Sequence, residues 1–298
     1  MLSSFRPAQW TKNLSIFAAV IINGKLFDPV LFTKALFTFI AFSLLSSSSY
    51  LINDIMDYDK DKLHPSKKNR PLAAGKITKT EAISLSFVLF ISGLFIASFV
   101  NSGLLNLAFV FILLQYSYSF IFKKKALLDI IGIAVFFIFR AYAGEVATGY
   151  HLPIWLMLSV IFLSLFIASG KRRSEFLKSG SKTRSALQGY SRSLLNFYSS
   201  IFAVSTLISY AMFTFFEEPI VFDGVVHRFL LKEAVWALNR KWFMATLFPV
   251  ILGIMRYGQI IFEMQEGERP EKIMATDLPL LFSIMLWGLM MIGIIYVI

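Results

Sequence analysis

The sequence contains no cysteine. That excludes disulfides, thiol nucleophiles and cysteine-ligated metals. Charge is also scarce. Only 16% of the 298 residues are Asp, Glu, Lys or Arg, where a soluble domain carries about a quarter. Acid is scarcer than base, with 18 Asp and Glu against 29 Lys and Arg. Such a chain cannot clothe itself in polar surface on all sides. With 57% hydrophobic residues, 32 Phe among them, it calls for lipid as solvent. The net charge of +11 could suit nucleic acid or acidic lipid, but its distribution along the chain points to membrane topology and to no nucleic-acid partner. The apolar run from Leu14 to Ile22 is short and no small-residue cleavage site follows it, so it reads as a first membrane helix, not a signal peptide.

A spanning helix needs roughly 20 mainly apolar residues. Nine segments qualify: Lys12–Gly24, Leu31–Ile52, Glu81–Val100, Leu104–Phe122, Leu127–Ala147, Ile154–Gly170, Leu194–Phe216, Trp242–Phe262 and Leu278–Ile298. The first is the weakest. Neither a domain-sized polar stretch nor a low-complexity linker separates them, so residues 1–298 read as a single transmembrane domain of the all-α class. With the N-terminus inside, 21 Lys and Arg fall on the cytoplasmic side and 6 on the other, while Arg140 and Arg256 lie within spans. That asymmetry predicts a cytoplasmic N-terminus and an odd number of spans in the cytoplasmic membrane. The outer segment from Glu217 to Lys241 looks partly amphipathic and suits the interface.

The informative stretch is Ser49–Gly75, SYLINDIMDYDKDKLHPSKKNRPLAAG. Asp54, Asp57 and Asp61 are spaced i, i+3, i+7, so on a helix they form one stripe, with Asn53 one turn before Asp57. Asp59 falls off the stripe. Three carboxylates on one face repel, and beside a membrane they are costly to desolvate. A cation between them resolves both problems, and hard oxygen ligands in this number suit magnesium, which commonly binds through one or two carboxylates plus substrate phosphates. A solvated helix end neutralised by Lys60 and Lys62 is the plainer reading. His64-Pro65 should end the helix. Lys67, Lys68 and Arg70 follow, as a polyanionic phosphate substrate would need. His64 is better suited to structure or phosphate donation than to metal. Serines 46–49 suit close helix packing, with no base near them in sequence.

This pattern resembles the UbiA superfamily of intramembrane prenyltransferases, whose hallmark NDxxDxxxD motif is here Asn53, Asp54, Asp57 and Asp61. The resemblance covers essentially the whole chain and implies a UbiA-type bundle of about nine transmembrane helices. Most members carry a second aspartate motif after helix 6, and the two motifs together hold two magnesium ions on a prenyl diphosphate. Here that segment reads GKRRSEF, with Lys171, Arg172 and Arg173 where carboxylates are expected and only Glu175 acidic. A basic cluster holds a second metal poorly and phosphate well.

The departure resembles one branch, the decaprenyl-phosphate phosphoribosyltransferases. So do RPAQWTKN at the start, the Tyr118-to-Lys123 segment, Asp129 with Arg140 eleven residues later, and AYAGEVATG. The resemblance implies magnesium-dependent transfer of 5-phosphoribose from phosphoribosyl pyrophosphate to a polyprenyl phosphate, releasing diphosphate. It makes Asp54, Asp57 and Asp61 the metal-binding and catalytic carboxylates. Asn53, Lys12, His64, Lys67, Arg70, Tyr118, Lys123, Arg140, Lys171, Arg172 and Glu175 are its expected substrate contacts. Arg140 and Arg256, charged and intramembrane, are functional candidates, Arg140 for a lipid phosphate, with snorkelling or an ion pair to Asp129 or Glu263 as the alternative. The active-site mouth should open to the cytoplasm. The alternative function is a prenyltransferase acting on an aromatic acceptor, and a transporter or lipid-binding protein stands third. The oligomeric state is left open, a homo-oligomer included.

Overall fold

The computed structural model describes residues 2–63, 67–179, 185–217, 228, 232 and 240–297. Every regular element among them is helical. A 3₁₀ turn, Leu2–Phe5, and a longer 3₁₀ segment, Pro7–Phe17, lead into α1 (Ala18–Ile22). There follow α2 (Pro29–Met56), α3 (Tyr58–Leu63), α4 (Lys79–Val100), α5 (Ser102–Phe120), α6 (Leu128–Thr148), α7 (Ile154–Ser179) and α8 (Arg192–Phe216). A 3₁₀ turn Trp242–Thr246 opens α9 (Leu247–Gln259), which runs into a π-helical turn, Ile260–Met264; α10 (Pro270–Thr276) and α11 (Leu278–Tyr296) complete the order.

Eight of these stretches are long and apolar enough to cross a membrane. The first expected span, Lys12–Gly24, is helical but shorter than that length, with 3₁₀ geometry to Phe17 and α-helix over Ala18–Ile22. Asn13 is fully buried, donates to Ser43 Oγ at 2.9 Å and accepts from Arg140 at 2.6 Å, so the segment is tied side-on to its neighbours. Five of the eight long spans carry their own start signals. Asp28 caps α2 by accepting from Val30 and Leu31, with Pro29 at the first helical position. Thr78 and Glu81 form a reciprocal capping box on α4, and Asn101, Ser191 and Asp277 cap α5, α8 and α11. Phe87, Phe95 and Phe99 on α4 and Phe282, Met285 and Leu289 on α11 stay exposed, as lipid-facing side chains should.

By backbone packing the chain forms two compact units: Met1–Val20, Asp28–Phe122 and Phe139–Tyr150 make the first, and Ile21–Phe27, Lys123–Ile138 and His151–Ile298 the second. In the first, a Cβ on Gly144 would stand 2.1 Å from the Ile16 carbonyl oxygen, so α6 meets the N-terminal segment backbone to backbone and only glycine fits. In the second, a Cβ on Gly267 would meet Ser174 Oγ at 2.6 Å, and the Gly267 N–H donates to that same hydroxyl at 2.9 Å.

Two expectations about helix ends change. The aspartate stripe does not lie on one unbroken helix. α2 stops at Met56, and Asp57 sits at φ −95°, ψ 9° before α3 resumes. The ladder still bridges the break, because Asp57 N–H donates to Asn53 O and Asp61 N–H to Asp57 O. The span expected to end at Gly170 runs on: α7 continues through GKRR to Ser179. Lys, Arg, Glu and Leu are good helix formers, and a single glycine at 170 does not stop them.

Candidate functional site

At 28 residues α2 is about 42 Å long, against roughly 30 Å of hydrocarbon. At ordinary tilt one end must project, and the acidic residues sit at its C-terminal end. There Asp54 is almost wholly buried, with 5% of its side chain exposed, and it is gripped by two guanidiniums. Arg6 reaches it from the N-terminal segment. Arg70 donates from Nη1 at 3.0 Å, and the same nitrogen reaches Asp61 at 2.5 Å. Asp54 and Asp61 therefore flank a single nitrogen, on the same side of the chain despite the break at Asp57. Arg6 lies over the Tyr50 ring, 5.1 Å from its centroid. Burial pulls its guanidinium below the usual range, and Asp54 pulls it back. Asn53 and Asp57 are half-buried beside them. His64 lies outside the described residues, as do the Lys60 and Lys67 side chains.

Among the described residues no three His, Asp or Glu side chains converge as a ready metal cage. The donor set nevertheless fits magnesium taken up together with a phosphate substrate. Two carboxylates already share one cationic partner, and magnesium asks for one or two carboxylates with phosphate and water supplying the rest.

Deeper in the same unit Arg140 donates from Nε to Asn13 Oδ1 at 2.6 Å and from Nη2 to Ser46 Oγ at 3.4 Å, and it lies 5.2 Å from the Phe111 ring centroid. Ser47 accepts from Trp10 Nε1 and donates to Phe5 O, and Ser48 meets Ser86 and Tyr116. The serine run thus holds helices and the N-terminal segment together. Lys12 and Tyr118 belong to this unit too, both half-buried.

The second unit holds Lys123, Lys171, Arg172 and Glu175. Arg172 is buried, with 1% of its side chain exposed. Its Nε is 2.5 Å from Asp129 Oδ2, an ion pair off the hydrogen-bonding angle, and its Nη1 donates to Glu175 Oε2 at 2.5 Å. Asp129 also accepts from Tyr190 Oη at 2.6 Å, and Tyr190 in turn accepts from the Leu127 N–H at 2.7 Å. That last bond holds Leu127 at φ +68°. Burial first, then Asp129, pushes the Tyr190 phenol above its usual range. Arg173 serves the fold: Nε donates to Asn196 at 2.7 Å, Nη1 donates to the Ile261 carbonyl that the π-helical turn presents, and the guanidinium covers the Phe262 ring. Lys171 and Lys123 are half-buried. Arg256 pairs with Asp277 at 2.7 Å, so neither Asp129 nor Glu263 is its acidic partner here. Three residues of these networks, Arg6, Asn13 and Tyr190, were not named as site residues; Arg6 and Asn13 bound the RPAQWTKN segment that carries part of the resemblance, and Tyr190 had no signal of its own.

An all-helical membrane protein with an acid-and-guanidinium cluster at the end of a long span is the class defined here. Residues 14–273 match the UbiA prenyltransferase family, and the chain belongs to it. It is 33% identical to the decaprenyl-phosphate phosphoribosyltransferase of Mycolicibacterium smegmatis, over 96% of this chain and 89% of that one. It is 29% identical to the protein of the same name from Corynebacterium glutamicum, over 100% of this chain and 87% of that one. The fold is that of a UbiA homologue from Archaeoglobus fulgidus solved with DMAPP and Mg2+, at TM-score 0.70 and 20% identity, covering 99% and 98% of the two chains.

Proposed function

We propose that this protein transfers 5-phosphoribose from phosphoribosyl pyrophosphate to a polyprenyl phosphate at the cytoplasmic face of the membrane. The observation that carries the reading is the lack of a second aspartate set: residues 170–173 are Gly-Lys-Arg-Arg where most UbiA proteins place it, with Lys171 as the phosphate candidate and the two arginines bonded within the fold. The whole-length likeness to enzymes named for this activity supports it. The split of Lys and Arg between the loops supports the cytoplasmic side.

In this reading Asp54, Asp57 and Asp61 hold magnesium, with Asn53 beside them. Magnesium held by these carboxylates would supply Lewis-acid neutralisation of the leaving diphosphate. Arg70 and Lys67 orient phosphate oxygens beside these carboxylates, and His64, Lys12 and Tyr118 complete the donor contacts; Lys123 and Lys171 are phosphate-binding candidates of the second unit. Arg172 keeps Asp129 and Glu175 in place at the end of α7. Arg140, held by Asn13 and Ser46, attracts the lipid phosphate.

The bond between the sugar C1 and the diphosphate oxygen breaks, and its electron pair leaves with diphosphate. A phosphate oxygen of the acceptor forms the new bond to C1, which passes through oxocarbenium character as in other glycosyl transfers. The acceptor is already anionic near neutral pH, so no general base is assigned.

The test uses purified protein with magnesium, a polyprenyl phosphate and labelled phosphoribosyl pyrophosphate. Label should enter the organic phase with one diphosphate released per transfer, and chelation of magnesium should stop it. Turnover of a prenyl diphosphate onto an aromatic acceptor, with no labelled lipid, would replace this reading with the prenyltransferase one.

A further inference from the structure

Arg6 occupies a conformation that arginine rarely takes. Its backbone is left-handed, φ 52° and ψ 61°, and it immediately precedes Pro7. A side chain disfavours the first and a following proline disfavours the helical region altogether. Strain of this kind persists only where the surroundings fix it. Here two anchors do so. Trp10 Nε1 and the Phe5 carbonyl both bond Ser47 Oγ, at 3.0 and 2.8 Å, which pins the segment on either side of Arg6 against α2. The Arg6 guanidinium then ends on Asp54.

Asp54 carries two guanidiniums, and they are not equivalent. Arg70 is also bonded to Asp61, so a second carboxylate retains it. Arg6 has Asp54 and the face of Tyr50. A divalent cation on Asp54 and Asp61 adds positive charge where two guanidiniums already repel one another, and the more weakly held one must give way.

We propose that Arg6 is an exchangeable counter-ion of this site: it neutralises Asp54 in the free protein and moves onto the diphosphate of the donor when Asp54 takes up magnesium. The inference rests on the reading of Asp54 and Asp61 as metal carboxylates, and it holds for any magnesium diphosphate donor. The anchors at Phe5 and Trp10 keep the backbone close, so the exchange is made by the side chain. A guanidinium fork is well matched to phosphate oxygens, and the apolar ring of Tyr50 gives it a surface to slide across. In the free protein the carboxylate is never left bare in a buried place, and in the loaded protein the cation it releases is not wasted.

The test measures two affinities by calorimetry on the full chain in detergent: magnesium alone, and inorganic diphosphate at saturating magnesium. Wild type is compared with Arg6→Gln and Arg6→Lys, each first shown to unfold at the wild-type temperature. Arg6→Gln removes the competitor and the phosphate ligand together. Magnesium should bind about 5-fold more tightly and diphosphate about 10-fold more weakly, the scale of one charge-assisted hydrogen bond. Arg6→Lys should restore part of the diphosphate affinity. Opposite shifts are the signature of exchange. Two affinities that fall together would make Arg6 a purely structural residue, and two that stay put would make it a bystander. Wild type that binds no magnesium would overturn the exchange and the metal reading with it. Opposite shifts in a protein that uses a prenyl diphosphate would keep the exchange and discard the phosphoribosyl donor.

Discussion

Each unit of this protein holds an arginine between two carboxylates, and the two arrangements differ in how far water reaches them. In the first unit Arg70 lies between Asp54 and Asp61 with 27% of its side chain exposed, and Arg6, at 24%, adds a second cation. In the second unit Arg172 and Asp129 are sealed, at 1% and 0%, and only the outer carboxylate, Glu175 at 23%, meets solvent. A pair whose cations reach solvent can trade them for another cation at modest cost. A sealed pair cannot, because removing either partner strands a charge in a medium that does not solvate it. The same chemistry therefore makes an exchangeable site in one place and a fixed brace in the other.

The largest expected effect tests the sealed pair. Asp129→Asn should destabilise the protein by about 3–5 kcal/mol, the usual cost of breaking a buried ion pair, visible as a large fall in the detergent unfolding midpoint. Adding Arg172→Gln should recover part of it. An Asp129→Asn protein that unfolds like wild type would end the distinction between the two clusters.

Next comes the exchangeable site. Asp54→Asn should cut transfer by at least about 100-fold, the scale of removing a charge-stabilising group, while lowering the unfolding midpoint less than Asp129→Asn does. Equal losses of stability would mean that solvent access does not decide what such a pair is for.

Tyr190→Phe is smaller and sharpens the picture of the second unit. It deletes a donor to Asp129 and an acceptor for Leu127, worth about 1–2 kcal/mol. The effect should depend on pH. Because the folded phenol is held protonated above its ordinary value, its contribution is complete below about pH 10 and is lost as pH rises further. The gap in unfolding temperature between wild type and Tyr190→Phe should narrow above pH 10; a constant gap would remove Tyr190 from the network.

The smallest effect belongs to a third pair, Arg256 with Asp277, which is half-buried at both ends. Asp277 also caps α11, and asparagine caps as well as aspartate, so Asp277→Asn isolates the charge. It should cost about 1 kcal/mol, the upper end for a pair that solvent still reaches. Its hydrogen bond from Arg256 holds the Asp277 carboxyl below the ordinary range, so this contribution is present above about pH 4 and fades as acid protonates it. A loss as large as that of Asp129→Asn would again remove the role of burial.

The aspartate stripe was legible because acids beside an apolar span are rare and their spacing matches a helix turn. Asp54 and Asp61 do share one partner, and that partner, Arg70, was named from the sequence. The GKRR segment was legible as a basic cluster but not as two kinds of arginine. Nothing local tells Arg172, braced by acids, from Arg173, bonded to Asn196 and a π-turn carbonyl. The geometry of the first span was less legible. Lys12–Gly24 is apolar on average, and an average does not register that Asn13 has a buried appointment with Arg140 127 residues away.

Composition and periodicity alone determined that this is a helical membrane protein, where its long spans run and which helix end carries the acids. Those features depend on hydropathy and on neighbours within a turn or two, which the sequence states directly. Which cation sits on which carboxylate was decided only by the tertiary structure. Arg6 meets Asp54 across 48 residues and Tyr190 meets Asp129 across 61. Such partners are chosen by helix packing and by the cost of leaving a buried charge unmatched, and neither is written in any short stretch of chain.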